Sequence, residues 1–175
     1  MSKALVIFFS RADENYNVGQ VEVGNTEVFA NNIVEKLKAD GVEVDTFKIV
    51  PKVPYPVGYD DCVAQATSER QMGERPEYEG GIDLTSYDTI FFGYPIWWGD
   101  MPMIVYNFLE KHVFTGKNFV PFCTHEGSGE SGTFAEAGNL AVGANVEAGF
   151  AIQGKLARQE GGKKQVEYWI DQTRV

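Results

Sequence analysis

Lys3-Ala4-Leu5-Val6-Ile7-Phe8-Phe9-Ser10 is the stretch on which the fold turns. An unbroken apolar block of β-branched and aromatic residues, ended by a hydroxyl residue, has the make-up of a strand buried on both faces. Thr89-Ile90-Phe91-Phe92-Gly93-Tyr94 repeats the pattern and reads as a central third strand, and Asn118 to Thr124 reads as the fourth. Between the first and third, Val42 to Val50 alternates apolar with polar residues, as a second strand nearer a sheet edge does. Val146 to Gln153 is expected to be the fifth strand.

Helical patterns separate these strands. Gly24-Asn25-Thr26 opens a helix in which Ala30, Ile33, Val34 and Leu37 recur at i, i+3, i+4 and i+7. Lys36 and Lys38 sit in its last turn and Gly41 just beyond, as the helix dipole and C-cap preferences favour. Pro102 suits the first turn of a helix carrying Ile104, Val105, Phe108 and Leu109 on one face. Gly132 to Leu140 reads as a short helix, and Gln165 to Thr173 as a closing one with Val166, Trp169 and Ile170 inward. Arg11 to Gly24 is polar and irregular. Pro51 to Tyr87 is a loop-rich connection holding a poorly amphipathic helix over Asp60 to Met72. No internal repeat is evident, and one domain spanning 1–175 is expected.

Strands alternating with helices imply an α/β fold, a doubly wound parallel sheet with helices on both faces. Right-handed crossovers then gather every strand's C-terminal end on one edge, outside which ligands bind. Composition narrows what binds there. Fifteen Lys and Arg against twenty-five Asp and Glu leave a formal charge of −10. That field repels nucleic acid and anionic membranes and attracts a basic protein partner. A phosphate ligand would need local backbone donors. No apolar run approaches bilayer-spanning length, and the first one is short for a signal-peptide core. Cys62 and Cys123 lack a C-x-x-C spacing, so neither a disulfide framework nor a zinc site is indicated, and a cytoplasmic location is the expectation.

Three loops at the carboxyl edge carry the chemistry. The first holds Ser10, Arg11, Asn17, Gly24, Asn25 and Thr26. Hydroxyls, amides and free N–H groups at a helix start form an anion site without requiring Lys or Arg, although Asn and Thr are also ordinary helix caps. The second, Gly93-Tyr94-Pro95-Ile96-Trp97-Trp98-Gly99-Asp100-Met101-Pro102, places adjacent tryptophans in a surface connection. A Trp face there stacks on a flat aromatic ligand; packing under the Pro51–Tyr87 connection or into a dimer interface is the plainer alternative. The third is Thr124-His125-Glu126-Gly127-Ser128-Gly129-Glu130-Ser131-Gly132, whose glycines let backbone approach a planar ligand. It matches G-x-G-x-x-G, but after the fourth strand instead of the first, where the dinucleotide motif belongs. A nucleophile elbow fails at Thr133, and a Walker loop fails because Gly116-Lys117 is followed by Asn118. His112 and His125 have no metal-ligand spacing. Catalytic side chains and metal ligands are therefore not assigned.

With these loops in this order, the chain resembles the flavodoxin family, specifically its flavodoxin-like bacterial members, over essentially its whole length. The resemblance implies a three-layer flavodoxin-like fold, a five-stranded parallel sheet of order 2-1-3-4-5, with flavin mononucleotide (FMN) at the switch point. It implies that Ser10, Asn25 and Thr26 cradle the FMN phosphate. Pro95, Ile96, Trp97 and Trp98 would flank the isoalloxazine and ribityl chain, with Thr124, Glu126, Gly127, Ser128 and Gly129 adding ring contacts. The phosphate loop is expanded between Ser10 and Gly24. Either the excursion folds outward and leaves Ser10 beside Asn25, or Arg11 and Asn17 take over some contacts.

The activity so implied is flavodoxin-type electron transfer with redox partner proteins that present a basic docking surface. The alternative is an NAD(P)H-dependent reductase of a quinone, flavin or nitro compound, with NAD(P)H and a small aromatic acceptor as partners; it requires an open flavin face, which the Pro51–Tyr87 connection, with Tyr55, Tyr59 and Tyr78, would either line or close. Stacked tryptophan in acidic surroundings is expected to disfavour the anionic, fully reduced flavin. The Trp98-Gly99-Asp100 backbone is expected near flavin N5, Gly99 tolerating a redox-linked peptide flip. A phosphoacceptor domain of the same topology would need an aspartate at the end of strand three, where Gly93-Tyr94-Pro95 stands.

Overall fold

In the computed structural model, which describes residues 2–175, β1 (Lys3–Phe8) is central because both its faces are apolar. Leu5, Ile7 and Phe9 enter one core cluster, and Ala4, Val6 and Phe8 the other. β5 (Thr89–Pro95) divides the same way, with Ile90, Phe92 and Tyr94 to one side and Phe91 to the other. Gly93 has no side chain because the Phe122 ring occupies the space a Cβ would need.

β4 (Glu43–Lys48) flanks β1, and β5 is followed by β6 (Asn118–His125). Every ladder in this sheet is parallel. The expected fifth strand is broken into β7 (Asn145–Val146), beside Asn118 and Phe119, and β8 (Phe150–Gln153), beside Phe122 to His125. The interruption lies opposite Pro121, which has no N–H to donate. There Gly149 sits so close to the Pro121 carbonyl and the Phe134 ring that a Cβ would not fit. Counting the two pieces as one strand, the order is 2-1-3-4-5.

α1 (Asn25–Ala39), α5 (Gly154–Ala157) and α6 (Glu160–Asp171) cover one face. α2 (Tyr59–Met72), α3 (Met103–Lys111) and α4 (Thr133–Leu140) cover the other. Two expectations change here. α6 begins five residues before Gln165 and is preceded by the unforeseen α5, since Gly162 packs against the Leu156 carbonyl where apolar periodicity gives no signal. The Arg11–Gly24 stretch contains an antiparallel hairpin, β2 (Asp13–Asn15) and β3 (Gly19–Val21). Asp13 and Asn17 adopt positive φ in it, and the Asn15 amide donates to the Arg11, Ala12 and Asp13 carbonyls. Among the described residues, no helix is long and apolar enough to cross a membrane.

Candidate functional site

The C-terminal end of β1 and the start of α1 meet at Ser10. Its Oγ accepts the Glu27 N–H at 3.0 Å, satisfying one of the free donors of the first helical turn. The Asn25 and Thr26 N–H groups have no protein acceptor among the described residues. Gly24 is the N-cap, and a Cβ there would collide with Ser10 Oγ and the Arg11 carbonyl. Thr26 Oγ1 lies 2.7 Å from Thr124 Oγ1, pinning the first loop to the third in a buried hydrogen bond. Ser10 therefore stays beside Asn25, while the expanded loop reaches across to α2 and lines the cleft with Arg11, Asn15 and Tyr16.

Arg11 leaves the strand toward α2. Its guanidinium donates to the carbonyls of Glu14, Pro56 (2.7 Å) and Val57 (2.8 Å), and so ties the hairpin to the segment before α2. Glu14 reinforces the tie by accepting the Tyr59 N–H at 2.9 Å. Tyr16 on the hairpin stacks on Tyr59 with ring centres 5.9 Å apart. Cys62, Val63 and Ala66 of α2 complete a side wall. Tyr59 lines the cleft as the Pro51–Tyr87 connection was expected to, but the Cys62, Val63 and Ala66 face and the hairpin were not foreseen: α2 is only weakly amphipathic, and the hairpin strands have three residues each.

The two tryptophans part company. Trp97 is half-buried, edge-on to Phe9 (5.4 Å, 84°) and to Tyr55 (5.2 Å, 88°), so it is partly the core residue that the plainer alternative foresaw. Trp98 is 54% exposed. Trp97 N–H donates to the Asp100 carbonyl (2.8 Å), and Asp100 N–H donates back (3.1 Å), closing a two-residue turn. Both central residues have positive φ, 58° at Trp98 and 66° at Gly99, the type I′ pattern. For a bulky residue such as Trp98 this is a strained conformation of the sort that gathers at functional sites.

In the third loop Thr124 and Glu126 line the cleft, as does His125. Burial holds the His125 imidazole below its ordinary pKa, and its Nδ1 accepts the Gly127 N–H at 3.0 Å. That bond turns the chain outward. Gly127, Ser128 and Gly129 consequently lie outside the cleft wall, unlike the contacts expected of them. Asn17 and Gly99 also lie off the wall; the Asn17 amide faces the Glu126 carboxyl, whose pKa burial pushes up. Gly154 leaves room for Asn25 Nδ2 and Glu126 Oε1, and Arg158 donates to Asn25 Oδ1 at 3.0 Å and to the Val23 carbonyl at 2.9 Å. Arg158, far along the chain, orients Asn25 and had no sequence signal.

Ser10, Arg11, Asn25, Thr26, Pro95, Ile96, Trp97, Trp98, Thr124 and Glu126 thus converge on one cavity of about 250 Å³. One end offers uncharged N–H and hydroxyl donors at a helix start, and the other offers aromatic and aliphatic walls. Those two ends fit the two ends of FMN, a phosphate and a planar ring. The geometric mark of that fit is that Asn25 and Thr26, whose N–H groups have no protein acceptor among the described residues, line the same cleft as Trp97 and Trp98.

Comparison with known proteins points the same way. A NAD(P)H dehydrogenase (quinone) of Bradyrhizobium diazoefficiens is 29% identical over 178 residues, covering 93% of this chain and 79% of that protein. A candidate flavoprotein from Bacteroides eggerthii DSM 20697 superimposes with a TM-score of 0.76 at 26% identity, covering 100% of this chain and 99% of the other. A flavoprotein from Lactobacillus acidophilus NCFM, solved in complex with FMN, shares the fold at 19% identity, with a TM-score of 0.64 and coverage of 89% and 95%. Residues 22–173 match the flavodoxin family, a stretch that holds α1, the strands from β4 to β8 and the second and third loops, and the chain belongs to that family.

Proposed function

We propose that this protein is an FMN-binding redox protein, with the isoalloxazine at the carboxyl edge of the sheet and the phosphate at the start of α1. The observation that carries this reading is the start of α1, where the Asn25 and Thr26 N–H groups have no protein acceptor among the described residues and both residues line the cleft. When bound, FMN supplies one- and two-electron chemistry that no side chain can. The chain binds and orients it. Ser10, Asn25 and Thr26 hold the phosphate, helped by the α1 dipole, in a protein whose overall charge would repel it. Thr124, hydrogen-bonded to Thr26, keeps the third loop in register with that anchor. Trp97, Trp98, Pro95 and Ile96 flank the ring on one side. Cys62, Val63 and Ala66 keep water from another part of the cleft. The Trp98-Gly99 turn, at the edge of the cleft, would offer backbone hydrogen bonds to the flavin ring.

Within this reading, electron transfer to a partner protein draws support from the −10 charge and from Trp98, exposed at the cleft mouth. NAD(P)H-dependent reduction of a small aromatic acceptor draws support from the second aromatic surface, Tyr16 on Tyr59, and from the quinone-dehydrogenase relative. Titration of the purified protein with FMN, followed by absorbance and fluorescence quenching, tests the shared claim. NAD(P)H oxidation with a quinone then favours the reductase. Two well-separated one-electron potentials without that turnover favour the shuttle.

A further inference from the structure

Arg11 is only 8% exposed, and no carboxylate among the described residues lies within 4.0 Å of its guanidinium. Its hydrogen bonds all go to neutral carbonyls, those of Glu14, Pro56 and Val57, and Nε has no partner. A guanidinium stays charged in any protein environment. Buried cations are ordinarily paired, because desolvation is otherwise uncompensated. Here a chain with ten surplus negative charges leaves the one buried Lys or Arg among the described residues without a counter-ion. Arg11 lines the cofactor cleft, together with Ser10, Asn25, Cys62, Trp97 and Trp98. Burial pushes the Cys62 thiol up; the Arg11 charge acts against that rise, and Glu69 and Asp13 act with it.

We propose that Arg11 is the fixed counter-charge for the fully reduced cofactor and biases this site toward accepting a hydride. The inference rests on the FMN reading above and deepens it. A dihydronicotinamide donor loses its C4–H bond with the electron pair and leaves as NAD(P)+. The transferred hydrogen forms an N–H bond at flavin N5, and the second electron of the pair leaves one negative charge on the ring. No other proton or oxidant enters. Because three carbonyls clamp the guanidinium, its field is in place before that charge arrives and needs no reorganisation. Acidic surroundings and stacked tryptophan act against the reduced anion, and Arg11 acts for it.

The test is anaerobic binding of FMN and riboflavin, each oxidised and dithionite-reduced, to the wild type, Arg11→Gln and Arg11→Lys. The wild type is expected to bind reduced FMN at least as tightly as oxidised FMN. Arg11→Gln should lower the ratio of oxidised to reduced Kd by about tenfold, a shift of about 30 mV in a two-electron couple. The same fall is expected with riboflavin, which has no phosphate, while Arg11→Lys stays within about threefold of the wild type because it keeps the charge. If Arg11→Gln weakens both redox forms of FMN equally and spares riboflavin, Arg11 is a phosphate anchor and the proposal is overturned. If Arg11→Gln does not fold, the wild type decides: weaker binding of reduced than of oxidised FMN overturns it. A protein that binds neither flavin defeats the FMN reading itself. One that binds both with a ratio indifferent to Arg11 defeats this proposal alone.

Discussion

The two ends of the cleft are built on opposite principles. At the α1 end, Ser10, Gly24, Thr26 and Thr124 are buried, interlocked and in unstrained backbone. At the aromatic end, Trp98 is exposed and held at φ 58°, and the opposing wall comes from a hairpin and a helix that the sheet does not require. The first end is stable because it is a site. The second is a site at some cost to stability, as strained functional positions usually are.

The sharpest way to break this contrast is at Gly24. Gly24→Val puts carbon atoms where Ser10 Oγ and the Arg11 carbonyl lie. It should cost about 2–4 kcal/mol by urea unfolding and weaken FMN binding about 100-fold or more by fluorescence titration. Tolerance of valine would mean that the two loops are not locked together.

Thr26→Val and Thr124→Val each leave a buried hydroxyl unpartnered and should cost about 1–2 kcal/mol. The double variant should lose less than the sum, which a double-mutant cycle in chemical denaturation reads directly. Additive losses would show that the Thr26–Thr124 bond contributes nothing.

At the other end the sign reverses. Trp98→Asn places a residue that tolerates positive φ in the turn and should stabilise the protein by about 1 kcal/mol. FMN affinity should fall about three- to tenfold through lost stacking. A melting temperature that fails to rise would remove the case for strain there.

The smallest effect lies between the two ends, at Glu126. Burial raises its pKa above the ordinary 4.5, so the folded state holds the proton more firmly than the unfolded chain. Its contribution is fully favourable below pH 4.5 and is lost as pH rises through the folded value. Glu126→Gln should therefore flatten the dependence of melting temperature on pH from 4.5 upward and slightly raise it at pH 7. An unchanged slope would place the carboxyl in solvent.

The same contrast explains what the sequence made legible. β1, β5 and β6 are continuous apolar blocks, and Ala30, Ile33, Val34 and Leu37 mark α1 by spacing, so the sheet and the α1 end could be read in advance, while the strand order came from the family resemblance. The α2 wall could not, because Cys62 and Ala66 are its only buried apolar residues and Glu69, buried against Tyr55 and Gln65, interrupts the pattern. The hairpin depends on Asn15 amide bonds and on an arginine gripping carbonyls forty-odd residues away, which no local periodicity encodes. At Gly127 and Gly129 the positive φ serves a turn around His125, which the glycine spacing alone did not announce.

The interruption opposite Pro121 has a consequence for how this molecule behaves in a crowd. A sheet's outermost strand is a rail on which another chain can dock its own backbone. Here one rail is cut into pieces of two and four residues. The other margin, β4, carries Glu43 and Asp45, both joined to Lys3. Neither border offers a long, neutral run of free amides, so concentrated protein should stay monodisperse without help from its cofactor.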